Sequence, residues 1–286
     1  MLKGDNKRTS KSTRANSLFL CSAAQNAHPQ LSEIYSYFAE KISTRLEQMH
    51  SPSVLTHQLV AYFGDNKKRK SVAFEFLKAA EIGIADIDFS EVPYEEDTQQ
   101  LLTEVESIIK KHFNAPDETI SIKSKTEAKV WHLGENSKGY SIELENESSG
   151  TLALLQILGP VFTKLKDGGI LVVDELNICL HPLVSKELIK LFSSPLTNPG
   201  RAQLIFSTHD TGMLANGVLR RDQVWFVEKD KEGASSIYPL SDFKIRASDN
   251  FEKGYKDGRF GAAPDFHLFQ QRFSKNLIAS KDGNEE

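Results

Sequence analysis

Two adjacent carboxylates, Asp174 and Glu175, close the apolar run Ile170-Leu171-Val172-Val173. Acids this close repel each other, and burying them calls for a cation or a raised pKa. The run before them is mostly β-branched and fits a strand covered on both faces, as in a parallel sheet flanked by helices. The carboxyl end of such a strand is where open α/β sheets hold their ligands. An ordinary strand ending in a polar turn would read the same way, so this segment alone leaves both open.

Three more segments carry chemistry. Glu147-Ser148-Ser149-Gly150-Thr151 places hydroxyls and a glycine where a helix begins. The free N–H groups and positive dipole end of a helix start can hold an anion, and small residues let it approach. Capping by serine explains the same residues. In Leu180-His181-Pro182, His181 suits a turn or interface position. Ser207-Thr208-His209-Asp210 follows a second apolar run, residues 202–206. A neutral imidazole there could donate one hydrogen bond to a phosphate. Isolated histidines are usually structural, but His209 lies one strand from the acids, in the same ligand-facing register.

The positioning elements follow from periodicity. Residues 151–166 form a strongly apolar helix, and residues 182–192 another, opened by a proline whose missing N–H costs nothing there. Residues 224–228 and 235–239 read as strands around a Lys-Asp-Lys-Glu-Gly turn. Strand–helix alternation argues a parallel sheet. Upstream, residues 15 to about 50 look helical with a break at His28-Pro29, and residues 72–81 and 97–112 are also helical. Residues 84–92, 119–123, 128–133 and 140–145 are strand-like, the last three suggesting a small antiparallel sheet. The Lys67-Lys68-Arg69-Lys70 cluster could touch phosphate, although a solvated helix start accounts for it. Residues 1–14, basic and polar, read as a loose arm.

Composition narrows the classes. The chain has 286 residues and a net charge of −4, which gives no global reason to expect nucleic acid, although that partner stays open. Cys21 and Cys179 lie in no metal-ligand spacing. No signal peptide and no membrane-spanning run is present, so the cytoplasm is the default expectation and no membrane partner is expected.

Taken jointly and in order, the segments resemble ABC-type ATPase heads, the group of Rad-fifty-like, SMC-like and overcoming-lysogenization-defect-like proteins. Residues 148–151 match the signature motif, residues 170–175 the Walker B element, residues 177–182 the D-loop, and His209 the switch histidine. The sequence is similar also to AAA-type ATPases of bacterial abortive-infection and other phage-defence operons. Those carry Glu-Ser-x-Gly-Thr, Asp-Glu-Leu-x-x-x-Leu-His-Pro and Thr-His-Asp. They also carry an Arg-Arg-Asp-Gln-x-Trp-Phe-Val-Glu-Lys-Asp stretch, here residues 220–230, and Tyr-x-x-Gly-Arg-Phe-Gly-Ala-x-Pro, here residues 255–264. The resemblance covers most of the chain from about Thr13 onward.

The resemblance implies that Asp174 holds Mg²⁺ through water and Glu175 polarises the attacking water. Ser148, Ser149, Gly150 and Thr151 would bind ATP held by a second copy, giving a homodimer around a nucleotide sandwich, while His209, with the acids, would act on the nucleotide of its own head. A toxin or nuclease is the implied further partner. Two departures stand out: Asn177 replaces the usual aspartate, and no glycine-rich Walker A loop occurs. Gly4 and Ser10-Lys11-Ser12 lack the glycines needed to wrap phosphates. The expected fold is therefore α/β, an incomplete P-loop NTPase parallel sheet with an inserted helical and α+β subdomain. The divisions are 1–14 arm, 15–118 helical insert, 119–146 small sheet, 147–274 catalytic lobe and 275–286 polar tail. Such a chain would bind ATP poorly and hydrolyse it negligibly alone, and residues 202–206 would present an unpaired edge prone to self-association. Two alternatives remain: a non-catalytic module that controls a toxin or nuclease, and a weaker reading, a nuclease using Asp174 and Glu175 with Mg²⁺.

Overall fold

The computed structural model describes residues 3–45, 51–64, 66–80, 82–113, 124–134, 139–215, 217–246 and 249–264, together with Phe269 and Phe273. The chain divides into two compact units, Met1–Thr208 and His209–Glu286.

The first unit opens with a short helix where a loose arm was expected. In α1 (Asn6–Ser12) the Asp5 carboxylate accepts the Arg8 N–H at 3.0 Å and so caps the helix start. Helices α2 (Phe19–Gln25) and α3 (Leu31–Lys41) follow, separated at His28-Pro29. The His28 ring, 3 % exposed, locks this corner. Its Nδ1 accepts from the N–H groups of Gln30 and Leu31 at 3.3 and 3.2 Å. That tautomer leaves Nε2–H to donate to Asn6 Oδ1 at 3.2 Å, which ties α1 to the helices behind it.

The helical period expected to run on towards residue 50 stops at Lys41. The buried Lys164 donates to the carbonyls of Glu40 and Lys41 at 3.3 and 2.9 Å, satisfying the helix end. The chain then extends as strand β1 (Ile42–Arg45). Next come α4 (Pro52–Phe63), with proline in its first turn, and α5 (Lys67–Ala79), capped by Asn66. Strand β2 (Ile84–Pro93), helix α6 (Glu96–Phe113), and strands β3 (Ser124–Leu133) and β4 (Gly139–Glu143) complete this half. Their sheet is antiparallel in the order β2-β3-β4. The strand expected over 119–123 and the tail 275–286 lie outside the described residues.

Helix α7 (Ser149–Asp167), strand β5 (Ile170–Val173), helix α8 (Pro182–Ser193) and strand β6 (Gln203–Phe206) form the part that carries the acids. The sheet order is β1-β5-β6, parallel throughout, with Val173 opposite both Arg45 and Phe206. Leu154, Leu155 and Leu158 of α7 are essentially inaccessible, each contributing roughly 1.5–3 kcal/mol of burial. Cover on the sheet is one-sided, contrary to the expectation of strands buried on both faces. Leu171 and Val173 are buried while Ile170 and Val172 are half-buried, and Ile205 of β6 is 55 % exposed. Among the described residues β6 pairs with β5 alone.

The second unit is built on a hairpin, β7 (Trp225–Lys229) antiparallel to β8 (Ser235–Pro239), followed by helix α9 (Phe251–Lys256). Phe226 stacks on Tyr255 at 5.6 Å and on Phe260 at 5.9 Å. Tyr238 and Tyr255 donate their hydroxyls to the carbonyls of Phe260 and Ala262, both at 2.9 Å. A Cβ on Gly254 would sit 2.8 Å from the Phe260 ring, so that position has to stay bare. The conspicuous residues of 220–230 and 255–264 thus meet in one aromatic core. Among the described residues no helix of the chain is long and apolar enough to cross a membrane.

Candidate functional site

Asp174 and Glu175 leave β5 at its carboxyl end. Asp174 is exposed and Glu175 half-buried, so burial does not by itself force a cation onto the pair. The Asp174 N–H donates to the Arg45 carbonyl at 2.9 Å, continuing the β1 ladder one step. On the other side the Ser207 N–H donates to the Val173 carbonyl at 3.0 Å, and the Leu176 N–H to the Ser207 carbonyl at 3.1 Å. The Ser207 hydroxyl accepts from the Glu175 N–H at 2.8 Å and donates to Asp174 Oδ1. One serine at the end of the neighbouring strand therefore fixes both acids.

The turn these bonds hold is strained. Glu175 has φ +51° and Cys179 φ +60°, conformations that L-residues seldom adopt and that cost about 1–3 kcal/mol each. Between them Asn177 accepts a hydrogen bond from the Thr208 hydroxyl. An amide oxygen serves there as a carboxylate would, which gives the departure from aspartate a local role.

The expected anion-binding helix start is the amino end of α7. Ser148 is its N-cap, accepting from the Thr151 N–H at 3.1 Å and bonding the Thr151 hydroxyl at 2.9 Å. Ser148 and Ser149 are exposed, whereas Thr151 is 6 % exposed and turned to its cap. Gly150 has a second reason for its size: a Cβ there would fall 2.8 Å from the Cys179 carbonyl. Just ahead, Glu147 and His132 form a buried contact, Oε1 to Nε2 at 2.6 Å, and the His132 ring stacks on Tyr140 at 5.5 Å. This contact joins β3 to the residue that precedes the cap.

Ser149, Asp174 and Glu175 line one cavity of about 300 Å³, together with Arg45, Gln156 and Cys179. The helix start and the acid pair therefore share a wall. His209 is the first residue of the second unit, three positions beyond β6, and is exposed. His181 caps α8 by accepting the Leu183 N–H at 3.2 Å, as its turn reading implied. Among the described residues no group of three or more His, Cys, Asp or Glu side chains could hold a metal ion. Sequence reasoning missed Ser207 as the clamp, and Arg45, because both act through strand adjacency and neither stands in a recognisable spacing.

A protein-family model described as "AAA domain, putative AbiEii toxin, Type IV TA system" matches residues 27–215. That stretch includes β1, the α7 start, the acid pair and Ser207 through His209. No curated protein matches the chain.

Proposed function

As this chain belongs to that AAA-domain family, we propose that it is the ATP-binding and ATP-hydrolysing head of an ABC-type system of the abortive-infection kind. The observation that carries the reading is the Ser207 clamp, which holds Asp174 and Glu175 at the carboxyl edge of a parallel sheet beside the α7 start.

Asp174, open to solvent, is the residue to hold Mg²⁺ through water, in keeping with that ion's preference for one or two carboxylates plus water and phosphate. When bound, the ion would neutralise charge developing on the phosphates. Glu175 orients and polarises the attacking water, and its half-buried position keeps that water in place. Ser148, Ser149 and Gly150 offer hydroxyls and backbone N–H groups to a γ-phosphate held by a second copy. Thr151 acts through Ser148, and His209 is assigned to the nucleotide held by its own copy. In this reading the acid-bearing lobe takes strand β1, residues 42–45, from within the stretch 15–118 expected as an insert, together with residues 149–206.

No stretch of the sequence has a glycine-rich phosphate loop. In this reading the lysine and hydroxyl that grip the β- and γ-phosphates come from another segment, and the chain alone hydrolyses ATP negligibly. The test measures phosphate release from Mg·ATP by the chain alone and with a polypeptide carrying such a loop. Turnover with both and none with either alone supports the reading; fast turnover by the chain alone contradicts the shared site.

A second reading, a non-catalytic module controlling a toxin or nuclease, draws on α6. Its residues Leu101, Val105 and Ile108 form an apolar stripe at helical spacing, each more than half exposed. If partner control survives in Glu175→Gln, the docking reading is favoured over the catalytic one.

A further inference from the structure

A second cavity, of about 340 Å³, lies along β1 and is walled by α4 and α7. We propose that it is a binding site for a small phosphorylated ligand, gripped by Arg45, Arg69 and Lys164. The inference does not depend on the nucleotide reading: Arg45 and Gln156 also line the acid pair's cavity, but Gln58, Arg69 and Lys164 do not.

Charge is the first argument. Arg45, Arg69 and Lys164 all line the cavity, and none of its described lining residues is acidic. Three cations around one space repel each other, and an anion between them relieves that cost. Burial holds the Lys164 ammonium below the usual lysine range, and Lys41 adds to the effect while Asp167 opposes it. Asp167 is itself half-exposed and lies 4.0 Å from Lys166.

Unsatisfied polar atoms are the second argument. Arg45 Nε and Gln58 Oε1 are buried without a partner, and both residues line this cavity. Buried polar groups are nearly always paired, so two orphans in one wall point to a missing ligand. A glutamine amide can turn over and present its NH₂ instead. Lys164 spends two of its three N–H donors on the α3 carbonyls. The Arg69 guanidinium packs over the Tyr62 ring, 5.3 Å from its centroid. Among the described residues its side chain makes no hydrogen bond.

The ligand class follows from donor geometry and size. Planar guanidinium forks match phosphate oxygens in pairs. The volume sits at the small end for ligand pockets, which suits a small phosphate ester or a diphosphate rather than a polymer.

Calorimetric titration of the full chain with inorganic pyrophosphate and, separately, adenosine monophosphate tests the site. At least one probe is expected to bind saturably. Arg69→Glu should weaken that affinity by about tenfold or more, and Gln58→Leu should weaken it measurably. Circular dichroism confirms that both variants fold. Asp174→Asn should leave binding unchanged. No saturable binding of either probe at millimolar concentration would overturn the proposal, as would affinity that survives Arg69→Glu in a folded variant. Binding that requires added Mg²⁺ and is lost in Asp174→Asn would instead place the probe at the acid pair and equally end it.

Discussion

Ser207 Oγ accepts the Glu175 N–H at 2.8 Å while donating to Asp174 Oδ1, so one hydroxyl on the strand beside β5 sets the position of both acids. This arrangement ties the backbone of a residue with positive φ to the carboxylate beside it. Side chains that orient a reactive group in this way usually matter nearly as much as the group itself.

Ser207→Ala removes both bonds and leaves the Glu175 N–H without its acceptor. Stability should fall by about 1–3 kcal/mol, read from urea denaturation. Phosphate release in the loop-complemented assay should fall by about tenfold or more, the size typical of a lost orienting partner. Unchanged turnover would show that the clamp is structural only.

Gly150→Ala separates packing from ligand approach. The added methyl would meet the Cys179 carbonyl at 2.8 Å, so the α7 start and the strained turn must move apart. A loss of about 1–3 kcal/mol is expected without any nucleotide present. The exposed Ser149→Ala should stay within about 0.5 kcal/mol of the parent, and lower nucleotide affinity instead.

Lys164 gives a pH dependence with a definite sign. Its folded-state pKa is held below the ordinary 10.5, chiefly by burial and then by Lys41. Between that lowered value and 10.5 the unfolded chain binds the larger share of the proton, so stability contributed by this group rises with pH through the window. Below the window both states are protonated and the penalty of burying the charge is fully present. Denaturation of the parent and Lys164→Met between pH 8 and 11 should show the rise only in the parent. A parallel pH profile in the two would remove Lys164 as its source.

How much of this was readable in advance depends on where each signal lies. Strand β5, helix α7 and helix α8 announce themselves locally, through an unbroken apolar run, a serine cap and a proline at the first helical position. Strand β1 does not. Its four residues continue the helical spacing of α3, and what turns them into a strand is Lys164 and pairing with residues 170–173, both remote in sequence. Ser207 was visible only as part of a segment, because its bonds to Asp174 and Glu175 span 33 and 32 residues and require β5 and β6 to be neighbours. Gly150 was legible as a small residue that lets an anion approach, but its packing role was not, since the Cys179 carbonyl reaches it from another turn. The residues of 255–264 stood out as a motif, but their partners Phe226 on β7 and Tyr238 on β8 could not be read from spacing.

The central claim is that Glu175 acts on water at a nucleotide phosphate while the rest of the site holds the nucleotide. It is tested most directly by Glu175→Gln in the loop-complemented assay, with phosphate release and ATP binding measured on the same sample. Hydrolysis should fall to background while ATP affinity stays at the parent value. Undiminished phosphate release from that variant would contradict the account.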